Sequence, residues 1–364
     1  MSTEKRPKKS SSGIKKQEFS LNDFKKSSGL DNSVKEKPLS VIPLSDAFFE
    51  ATGNAGVYQG YTNIFQGWPE TGKSTGMFEC ISSCQKLGIL PIIIDTEGNF
   101  NWDYARNVGV QFEEVLDGDG VIVDYDGFFI FMNGRSILNK YGRFKHDEGK
   151  EGRDLRSEPC VEDVAMFIND IIDRQNADEL PYDLCFIWDS IGSISSYRSI
   201  ISKSKNNQWD AGAISNSFNS ILNFKIPSSR METSKYTNTF LAIQKIWYDG
   251  MNNVVRPKGG NTFTFGGRFI CHYGNTITPG TSKLKAASGN KTFYFGTECK
   301  IKVIKNQING VSYEGKIAST PHGYWNPDKI DEYKKEYRSY LLEKLETNSE
   351  DLMIMKEDLD ESEG

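Results

Sequence analysis

At residues 67–75 the chain reads Gly67-Trp68-Pro69-Glu70-Thr71-Gly72-Lys73-Ser74-Thr75. The first eight of these residues match G-x-x-x-x-G-K-S, a spacing typical of a loop that binds nucleotide phosphates. The glycines let the backbone wrap closely, so that successive N–H groups point at phosphate oxygens. Lys73 adds a cation for the outer phosphates, and the Ser74 hydroxyl is a ligand for Mg²⁺. The motif therefore predicts a site for a nucleotide with Mg²⁺.

The residues on either side of this loop have the patterns of a strand and a helix. Thr62-Asn63-Ile64-Phe65-Gln66 precedes the loop and is typical of a short strand. The loop therefore opens a helix, whose N-terminus favours a bound anion. The apolar residues that recur at helical spacing after the loop are Met77, Phe78, Cys80, Ile81, Cys84 and Leu87.

The composition is that of an ordinary globular protein. Of the 364 residues, 37% are hydrophobic and 26% are charged, which suits one large domain or two small ones. No apolar run approaches the length of a membrane span, and the N-terminus is basic and polar without the apolar region of a secretory signal. We therefore expect no membrane partner.

The six cysteines are scattered, and none of them forms a Cys-x-x-Cys pair. Several lie in apolar helix or strand patterns, as the reduced cysteines of a cytosolic core do. The three histidines are far apart in the sequence, which argues against a histidine metal site.

Both ends of the chain differ in composition from the middle. Residues 1–38 are basic and rich in Ser and Lys, whereas residues 347–364 are acidic. Segments with few core-forming residues and a biased charge are typical of disorder, so we expect a tail at each end. Phe19, Leu21 and Phe24 make the first tail a candidate oligomerisation segment that docks on a neighbouring copy.

Between residues 39 and 325 strand patterns alternate with helical ones. Leu90–Asp95, Leu184–Asp189 and Thr239–Gln244 are predicted as buried strands, with amphipathic helices between them. This alternation predicts an α/β fold with a mostly parallel central sheet and helices on both faces.

After residue 260 the pattern changes to consecutive strands, which predict an antiparallel extension of the same sheet. Residues 116–155 are rich in Gly and charge and are predicted as an insertion. A last helix is predicted over residues 326–346, with Asn326 as its cap and Pro327 in its first turn. The strands of the predicted extension are Thr262 to Tyr273, Thr292 to Gln307 and Val311 to Ser319.

Three polar side chains follow strands that are predicted to be parallel neighbours. Asp189 ends one strand, where an acid can hold the water shell of Mg²⁺ opposite the phosphate loop. Glu97 lies just past another strand, where a carboxylate can polarise a water for attack on the terminal phosphate. Gln244 ends a third strand and can hydrogen-bond that phosphate. Because ligands bind at the carboxyl ends of such strands, we predict Glu97, Lys73 and Gln244 as catalytic residues and Ser74 and Asp189 as Mg²⁺ ligands.

Six further blocks follow one another in a characteristic order. They are Ser40-Val41-Ile42-Pro43-Leu44-Ser45, Ile94-Asp95-Thr96-Glu97, Tyr104-Ala105-Arg106, Trp188-Asp189-Ser190, Gly259-Gly260-Asn261 and Ile301-Lys302-Val303-Ile304-Lys305-Asn306. In this order and spacing, from about residue 40 to 325, the chain resembles the RecA-type strand-exchange recombinases, including the UvsX-like members of tailed phages. The resemblance implies a RecA-like P-loop NTPase core that binds ATP and Mg²⁺.

The resemblance also implies roles for individual positions. Asn101 and Tyr104 fall where the family contacts and stacks on adenine. Gln244 falls at the γ-phosphate sensor, at the start of the second DNA loop. Phe265 falls where an aromatic side chain couples neighbouring protomers, and Lys305 falls where a lysine reaches the ATP of the neighbour.

Two positions depart from the pattern of the family. Trp68 follows the first loop glycine, where the family often has a proline. Gln307 occupies the position of a second lysine that reaches across the filament interface, which weakens the expected charge clamp. We therefore expect hydrolysis to be slow or less tightly coupled to DNA.

Two segments that follow strands are predicted as surface loops, at residues 195–212 and 245–261. Both combine cations with aromatic or apolar residues. Cations neutralise phosphates and aromatic rings stack on bases, a pairing that suits single-stranded DNA without sequence preference. The alternative is a pair of mobile basic loops without this role. The candidate DNA contacts are Arg198, Lys203, Lys205, Trp209, Lys245, Trp247, Met251, Arg256 and Lys258.

The sequence as a whole predicts an ATP-dependent DNA recombinase that forms helical filaments on single-stranded DNA. Its expected partners are single-stranded DNA, homologous duplex DNA, further copies of the chain, and a single-strand-binding protein or loader. Its expected location is the cytoplasm of a bacterium or of a phage-infected host. Three alternatives stay open: a RecA-fold helicase, a nucleotide-gated recombination mediator, and a small-molecule kinase. The helicase would usually carry an extra N-terminal domain, and the kinase would need an acceptor pocket with lid arginines.

Overall fold

The computed structural model describes residues 20–29, 35–142, 158–203, 207–249, 252–288 and 291–347. Most of both predicted tails lies outside these residues, as do Lys205 and Met251. The described chain is an α/β protein built around one large mixed sheet.

The strands and helices follow in chain order. The strands are β1 Val41–Pro43, β2 Gly56–Tyr58, β3 Thr62–Gly67, β4 Leu90–Asp95, β5 Glu113–Leu116, β6 Ile122–Asp126, β7 Ile130–Asn133, β8 Leu184–Ile191, β9 Asn238–Asp249, β10 Val254–Pro257, β11 Phe269–Tyr273, β12 Ser282–Ser288, β13 Lys291–Asn306, β14 Glu314–Thr320 and β15 Gly323–Trp325. The α-helices are α1 Leu21–Ser27, α2 Asp46–Thr52, α3 Lys73–Leu87, α4 Trp102–Val108, α5 Gly134–Tyr141, α6 Val161–Asn176, α7 Tyr197–Ile201, α8 Asn207–Ser220, α9 Ile226–Ser228, α10 Thr262–Gly266 and α11 Ile330–Glu336, with a π-helix at Ile221–Lys225 and a 3₁₀ turn at Pro327–Lys329.

The main sheet has a parallel part and an antiparallel part. Its strand order is β15-β14-β13-β11-β3-β9-β8-β4-β7, with β12 paired to β13 and β10 paired to β9. The strands from β11 to β7 in this order are all parallel to their neighbours, whereas β13, β14 and β15 pair antiparallel. The predicted antiparallel extension of a parallel sheet is therefore present, but the sheet is mixed rather than mostly parallel, because five of its described pairings are parallel and five are antiparallel.

The parallel strands are buried on both faces, which explains their apolar composition. All residues of β3 and β4 are buried, and β8 is buried except at Asp189. One hydrophobic cluster packs α2 and α3 on one face of the sheet, and a second packs α6 and α8 on the other. Continuous apolar runs of this kind are what a sheet covered on both faces requires. The predicted helices on both faces are thus confirmed.

The stretch from Thr262 to Tyr273 differs from the prediction. Thr262–Gly266 is a short helix, and only Phe269–Tyr273 is a strand. That strand runs parallel to β3 and belongs to the parallel part of the sheet. The antiparallel extension therefore begins one strand later than predicted, at β13. In this helix the Phe263 side chain is fully buried and packs in the hydrophobic core of that face of the sheet.

Part of the predicted insertion belongs to the main sheet. Residues 113–126 form the separate β5–β6 hairpin, but Ile130–Asn133 pairs parallel with β4 as the edge strand. Helix α5 follows it directly, and its buried Ile137 packs in the core of that face. The prediction of an insertion over the whole of 116–155 is corrected for these two elements.

The C-terminal helix is divided into two parts. Asn326 accepts a hydrogen bond from the Asp328 N–H at 2.8 Å, as predicted for a cap, and opens the 3₁₀ turn. Helix α11 ends before Tyr337, and residues 338–347 form a second helical segment. Tyr337 stacks on His322 with ring centroids 3.8 Å apart, which anchors the break between the two segments.

A buried carboxylate joins α3 to two other elements. Glu79 Oε1 accepts from the Tyr324 N–H at 2.7 Å, and its Oε2 accepts from the Ser45 N–H at 3.0 Å. Burial raises the pKa of Glu79 to about 7, although the two N–H donors lower it. Glu79 thus fixes the helix that begins at the phosphate loop against β15 and the start of α2.

We expect the substitution Glu79→Gln to change how stability depends on pH. Because the pKa of Glu79 in the folded chain lies above its ordinary value, the folded state binds more protons than the unfolded state between about pH 4.5 and 7. Stability should therefore fall across this window by about 3 kcal/mol more in the wild type than in the variant. Urea unfolding at both ends of the window measures this difference, and equal slopes for the two proteins would contradict it.

Candidate nucleotide site

The predicted phosphate loop connects β3 to the first turn of α3. Gly67 lies so close to β11 that an added Cβ would stand 2.4 Å from the Tyr273 carbonyl oxygen. Gly72 has a φ of 87°, in the left-handed region that favours glycine, and α3 begins at the next residue. The N-terminal N–H groups of α3 therefore face the space beside the loop, where an anion is favoured.

This loop forms one wall of a cavity of about 540 Å³ at the carboxyl ends of the parallel strands. Of the predicted residues, the ones that line the cavity are Pro69, Glu70, Thr71, Gly72, Lys73, Ser74, Thr75, Glu97, Asn101, Tyr104 and Asp189. Lys245, which was predicted in a DNA loop, also lines it. Gly67, Trp68, Gln244 and Lys305 are not among its lining residues.

Lys73 is folded back onto its own loop. It is 5% exposed, and its Nζ donates a short hydrogen bond to the Trp68 carbonyl oxygen. Burial lowers the pKa of Lys73 to about 8, although the nearby Asp189 carboxylate raises it. The Lys73 ammonium is thus held beside the cavity by the neutral Trp68 carbonyl oxygen. A phosphate oxygen can replace this carbonyl as the hydrogen-bond acceptor.

The carboxylates of the cavity crowd negative charge into a half-buried space. Burial raises the pKa of Asp189 to about 7, and the charges of Glu97 and Asp95 add to that effect. Asp95 itself accepts the N–H groups of Glu97 at 3.0 Å and Gly98 at 2.8 Å, so it shapes the turn that carries Glu97. A crowded carboxylate beside a hydroxyl is a donor set that suits Mg²⁺, and Asp189 and Ser74 therefore fit the predicted metal.

Both oxygens of Glu97 are engaged. Its Oε2 accepts from Lys245 Nζ at 2.5 Å, and its Oε1 accepts a short hydrogen bond from the Ser190 hydroxyl. Burial acts to raise the pKa of Glu97, but the Lys245 and Ser190 hydrogen bonds outweigh it and the net pKa is lowered. Glu97 is therefore held as a carboxylate at the position predicted for the catalytic acid-base residue.

The structure does not bring Gln244 to the cavity. Its side chain is fully buried, and its Nε2 donates to the carbonyl oxygens of Lys258 at 3.0 Å and Gly260 at 3.2 Å. Ile243 and Lys245 line the cavity instead, because successive residues of a strand point to opposite faces. Gln244 thus ties the strand to the segment that follows β10.

The positions predicted for adenine contact lie on α4. The Asn101 side chain accepts from the Tyr104 N–H at 2.8 Å and caps this helix. The Tyr104 hydroxyl lies 2.5 Å from Thr75 Oγ1 and donates to the Thr320 carbonyl oxygen at 2.9 Å. The Tyr104 hydroxyl therefore bridges the helix of the phosphate loop to β14, and burial raises its pKa to about 12.

The two positions predicted at a protomer interface lie together outside the cavity. Lys305 Nζ donates to the carbonyl oxygens of Thr264 at 3.0 Å and Phe265 at 3.1 Å. The Phe265 side chain is 74% exposed. Their contact with a neighbouring copy stays a prediction.

The first predicted DNA segment is largely helical. Residues 197–201 form α7 and residues 207–220 form α8, so the predicted surface loop at 195–212 is corrected. The Arg198 guanidinium lies over the Trp209 ring at 4.2 Å, and Lys203 is exposed. These helices form because Ser196 caps α7 and the buried Asp210 accepts its hydroxyl at 2.7 Å.

The second predicted DNA segment is a hairpin in the described residues on either side of positions 250 and 251. Strand β9 continues to Asp249 and pairs with β10, with Trp247 opposite Arg256. Trp247, Arg256 and Lys258 line a separate cavity of about 500 Å³ together with residues of the 192–195 turn and α8. The predicted loop at 245–261 is therefore corrected to a strand pair that carries exposed cations at one end of the sheet.

Sequence reasoning missed several residues of the nucleotide cavity. Lys283, Thr297 and Ser319 line it from β12, β13 and β14, and Lys283 pairs with Glu70 of the phosphate loop at 3.2 Å. No local motif marks these positions, because the antiparallel extension brings them to the cavity from distant parts of the chain. The peptide bond between Asp189 and Ser190 is cis, which no sequence pattern indicated either.

Comparisons with known proteins give a partial relationship. No protein-family model matches the chain. The chain is similar to protein RecA of Nitratidesulfovibrio vulgaris (strain DSM 19637 / Miyazaki F), with 34% identity over 79 residues, which is 21% of this chain and 22% of that protein. The match thus spans about a fifth of either protein and indicates at most a RecA-like relationship. Among the described residues, no helix combines the length and apolar character needed to cross a membrane.

We expect Tyr104→Phe to show whether the Tyr104 hydroxyl stabilises the fold or contacts the nucleotide. The change removes the hydroxyl bridge and should lower the free energy of unfolding by about 1–2 kcal/mol. ATP affinity should change less than about threefold, because the ring that faces the cavity is kept. Urea unfolding and ATP titration of the same samples measure both quantities. A large loss of affinity without loss of stability would show that the hydroxyl itself contacts the nucleotide.

Proposed function

We propose that this protein is an ATP-dependent DNA recombinase, which assembles on single-stranded DNA and pairs it with homologous duplex. The observation that carries the proposal is a single cavity that joins the phosphate loop, Glu97 and Asp189. Strand β9 leads from this cavity directly into the cationic hairpin. The partial similarity to RecA supports the same reading. The RecA-like core is proposed over residues 39–325.

The nucleotide chemistry follows from the residues of the cavity. The N–H groups of the phosphate loop and Lys73 bind the phosphates of ATP. Ser74 and Asp189 would hold Mg²⁺, which supplies positive charge to the phosphates when it is bound. Glu97 orients a water and takes its proton while the water oxygen bonds to the terminal phosphorus. The bond to the bridging oxygen breaks, and ADP leaves with that electron pair.

The proposed DNA surface is the β9–β10 hairpin. Arg256 and Lys258 are exposed, and Trp247 is 37% exposed beside them. Cations that neutralise phosphates and an aromatic ring that stacks on a base bind single strands without reading sequence. Arg198 of α7 and Lys203, which follows that helix, are further candidate DNA contacts.

Filament formation and cellular setting complete the proposal. Phe265 and Lys305 lie together near the protein surface, which suits a contact with the next protomer. The basic N-terminal segment is a second candidate contact between copies. A cytoplasmic location and a single-strand-binding protein or loader as a further partner belong to the same proposal.

The test is ATP hydrolysis with and without single-stranded DNA, with negative-stain imaging of the same protein in a non-hydrolysable ATP analogue. We expect turnover that rises with DNA and helical filaments on the strand. Closed rings would favour a helicase. A protein with neither turnover nor filaments would be a nucleotide-binding accessory protein, and the proposal would be wrong.

We expect Glu97→Gln to lower the turnover number by roughly 100- to 10,000-fold, the range typical of a lost general base. Filament assembly with the non-hydrolysable analogue should persist, because Gln keeps the size of the side chain and the analogue needs no base. Steady-state hydrolysis and imaging measure these effects. A variant with normal turnover would remove Glu97 from the chemistry.

We expect the double variant Arg256→Ala, Lys258→Ala to weaken binding of single-stranded DNA and to flatten its dependence on salt. Loss of two phosphate contacts should reduce the slope of log affinity against log salt by about 1.4. The matched control is Lys329→Ala, Lys335→Ala, which removes two cations from the C-terminal region. Equal DNA affinity in wild type, variant and control would exclude the hairpin as the DNA surface.

A further inference from the structure

One ion pair in the nucleotide cavity involves the strand that continues into the proposed DNA surface. Lys245 Nζ lies 2.5 Å from Glu97 Oε2, and the side chains are 29% and 11% exposed. The pair is therefore shielded from solvent much more than an ordinary surface ion pair. Lys245 was predicted as a DNA contact, but its side chain points away from the hairpin tip and into the nucleotide cavity.

The register of the sheet places Lys245 beside the phosphate loop. In the parallel ladder between β3 and β9, Lys245 is opposite Gly67, the first residue of the G-x-x-x-x-G-K-S motif. Gln244 is opposite Gln66 and points to the other face. Lys245 is thus the last residue of β9 in the ladder with β3, and its side chain lines the cavity in which a nucleotide would lie.

The ion pair also restrains the proposed catalytic base. With Lys245 on one oxygen and the Ser190 hydroxyl on the other, Glu97 has both oxygens engaged. Hydrogen bonds to both oxygens stabilise the carboxylate and compete with a water for the same acceptors. This arrangement keeps Glu97 charged while both of its oxygens are hydrogen-bonded.

The backbone of Lys245 is joined to the hairpin. Its carbonyl oxygen accepts from the Lys258 N–H at 2.8 Å, and two residues further along, Trp247 pairs with Arg256. On the opposite face, the Gln244 amide holds the carbonyl oxygens of Lys258 and Gly260. A shift of β9 at Lys245 is therefore passed to the cations at positions 256 and 258 through these hydrogen bonds.

We propose that Lys245 is the sensor of the terminal phosphate and the positioning residue for Glu97, an inference that rests on the proposed ATPase function. In the structure its ammonium pairs with Glu97. When ATP occupies the cavity, the ammonium transfers to an oxygen of the terminal phosphate, whose larger negative charge attracts it more strongly. Glu97 Oε2 is then free to accept a proton from water, and β9 carries the change to the hairpin. ADP, which lacks the γ-phosphate, leaves the ion pair in place.

Lys245 thus takes the sensor role that the resemblance implied for Gln244. The two side chains have different tasks in the structure. Lys245 lines the cavity, and Gln244 hydrogen-bonds the strand to the segment after β10. Both tasks are needed for nucleotide to affect DNA binding, but of these two side chains it is Lys245 that contacts Glu97.

The test compares full-length wild type with Lys245→Met and Lys245→Arg. Binding of ADP and of a non-hydrolysable ATP analogue is measured for each by calorimetry, and hydrogen exchange of residues 245–258 is measured with each nucleotide. The control is Lys316→Met, which removes a lysine of β14 whose side chain is 70% exposed and pairs with Glu298 of β13.

We expect Lys245→Met to lower the preference for the ATP analogue over ADP by roughly tenfold or more, since a hydrogen bond between charged groups is lost. The hairpin should no longer distinguish the two nucleotides in hydrogen exchange. Lys245→Arg should restore part of both effects, and Lys316→Met should match the wild type. A merely structural role would weaken both nucleotides equally and would not be rescued by Arg.

Two results would overturn the inference, and they are distinguishable. In the first, the wild type hydrolyses ATP, but Lys245→Met keeps the full preference for the ATP analogue and the hairpin response. This result would refute the sensor role of Lys245 and leave the proposed ATPase function standing. A wild type that binds neither nucleotide would refute the proposed function and the sensor together.

Discussion

The parallel pairing of β3, β9, β8 and β4 is the constraint on which the candidate site depends. In these ladders Gly67 is opposite Lys245, and Asp95 is opposite Asp189. Because all four strands run in the same direction, their carboxyl ends lie at one edge of the sheet, where ligands of open α/β sheets bind. The buried apolar strands fix this alignment, since a slip of one residue would turn each side chain to the wrong face.

The electrostatics of the site follow from that alignment. Two lysines, Lys73 and Lys245, and two acids, Glu97 and Asp189, meet in a half-buried space. Burial lowers the pKa of Lys73 and raises the pKa of Asp189, which means that each group is poorly stabilised in its charged form. A polyphosphate with a divalent cation supplies the charges that both groups lack. The charges of the site therefore suit a charged ligand.

Sequence patterns predicted the features of this protein that are local, and missed those that need the register of the sheet. The phosphate loop and the acids at 97 and 189 lie within short motifs, and alternating strands and helices predicted the fold class. The sequence could not show whether Gln244 or Lys245 faces the cavity, because residues 238–244 are all buried and do not alternate between buried and exposed positions. The edge strand at 130–133 was missed because its apolar run is short and lies in a Gly-rich, charged segment. Lys283 and Ser319 reach the cavity only through the antiparallel extension.

The most direct test of the central claim is an experimental structure of the full chain with Mg²⁺ and a non-hydrolysable ATP analogue. We expect phosphates against the N–H groups of residues 70–74, the metal beside Ser74 and Asp189, and Lys245 turned from Glu97 to the terminal phosphate. A nucleotide bound elsewhere, or phosphates in the loop with the Lys245–Glu97 pair intact, would contradict it. A nucleotide bound elsewhere would show that this cavity is not the nucleotide site. An intact Lys245–Glu97 pair would show that the nucleotide binds here without acting on the hairpin through Lys245.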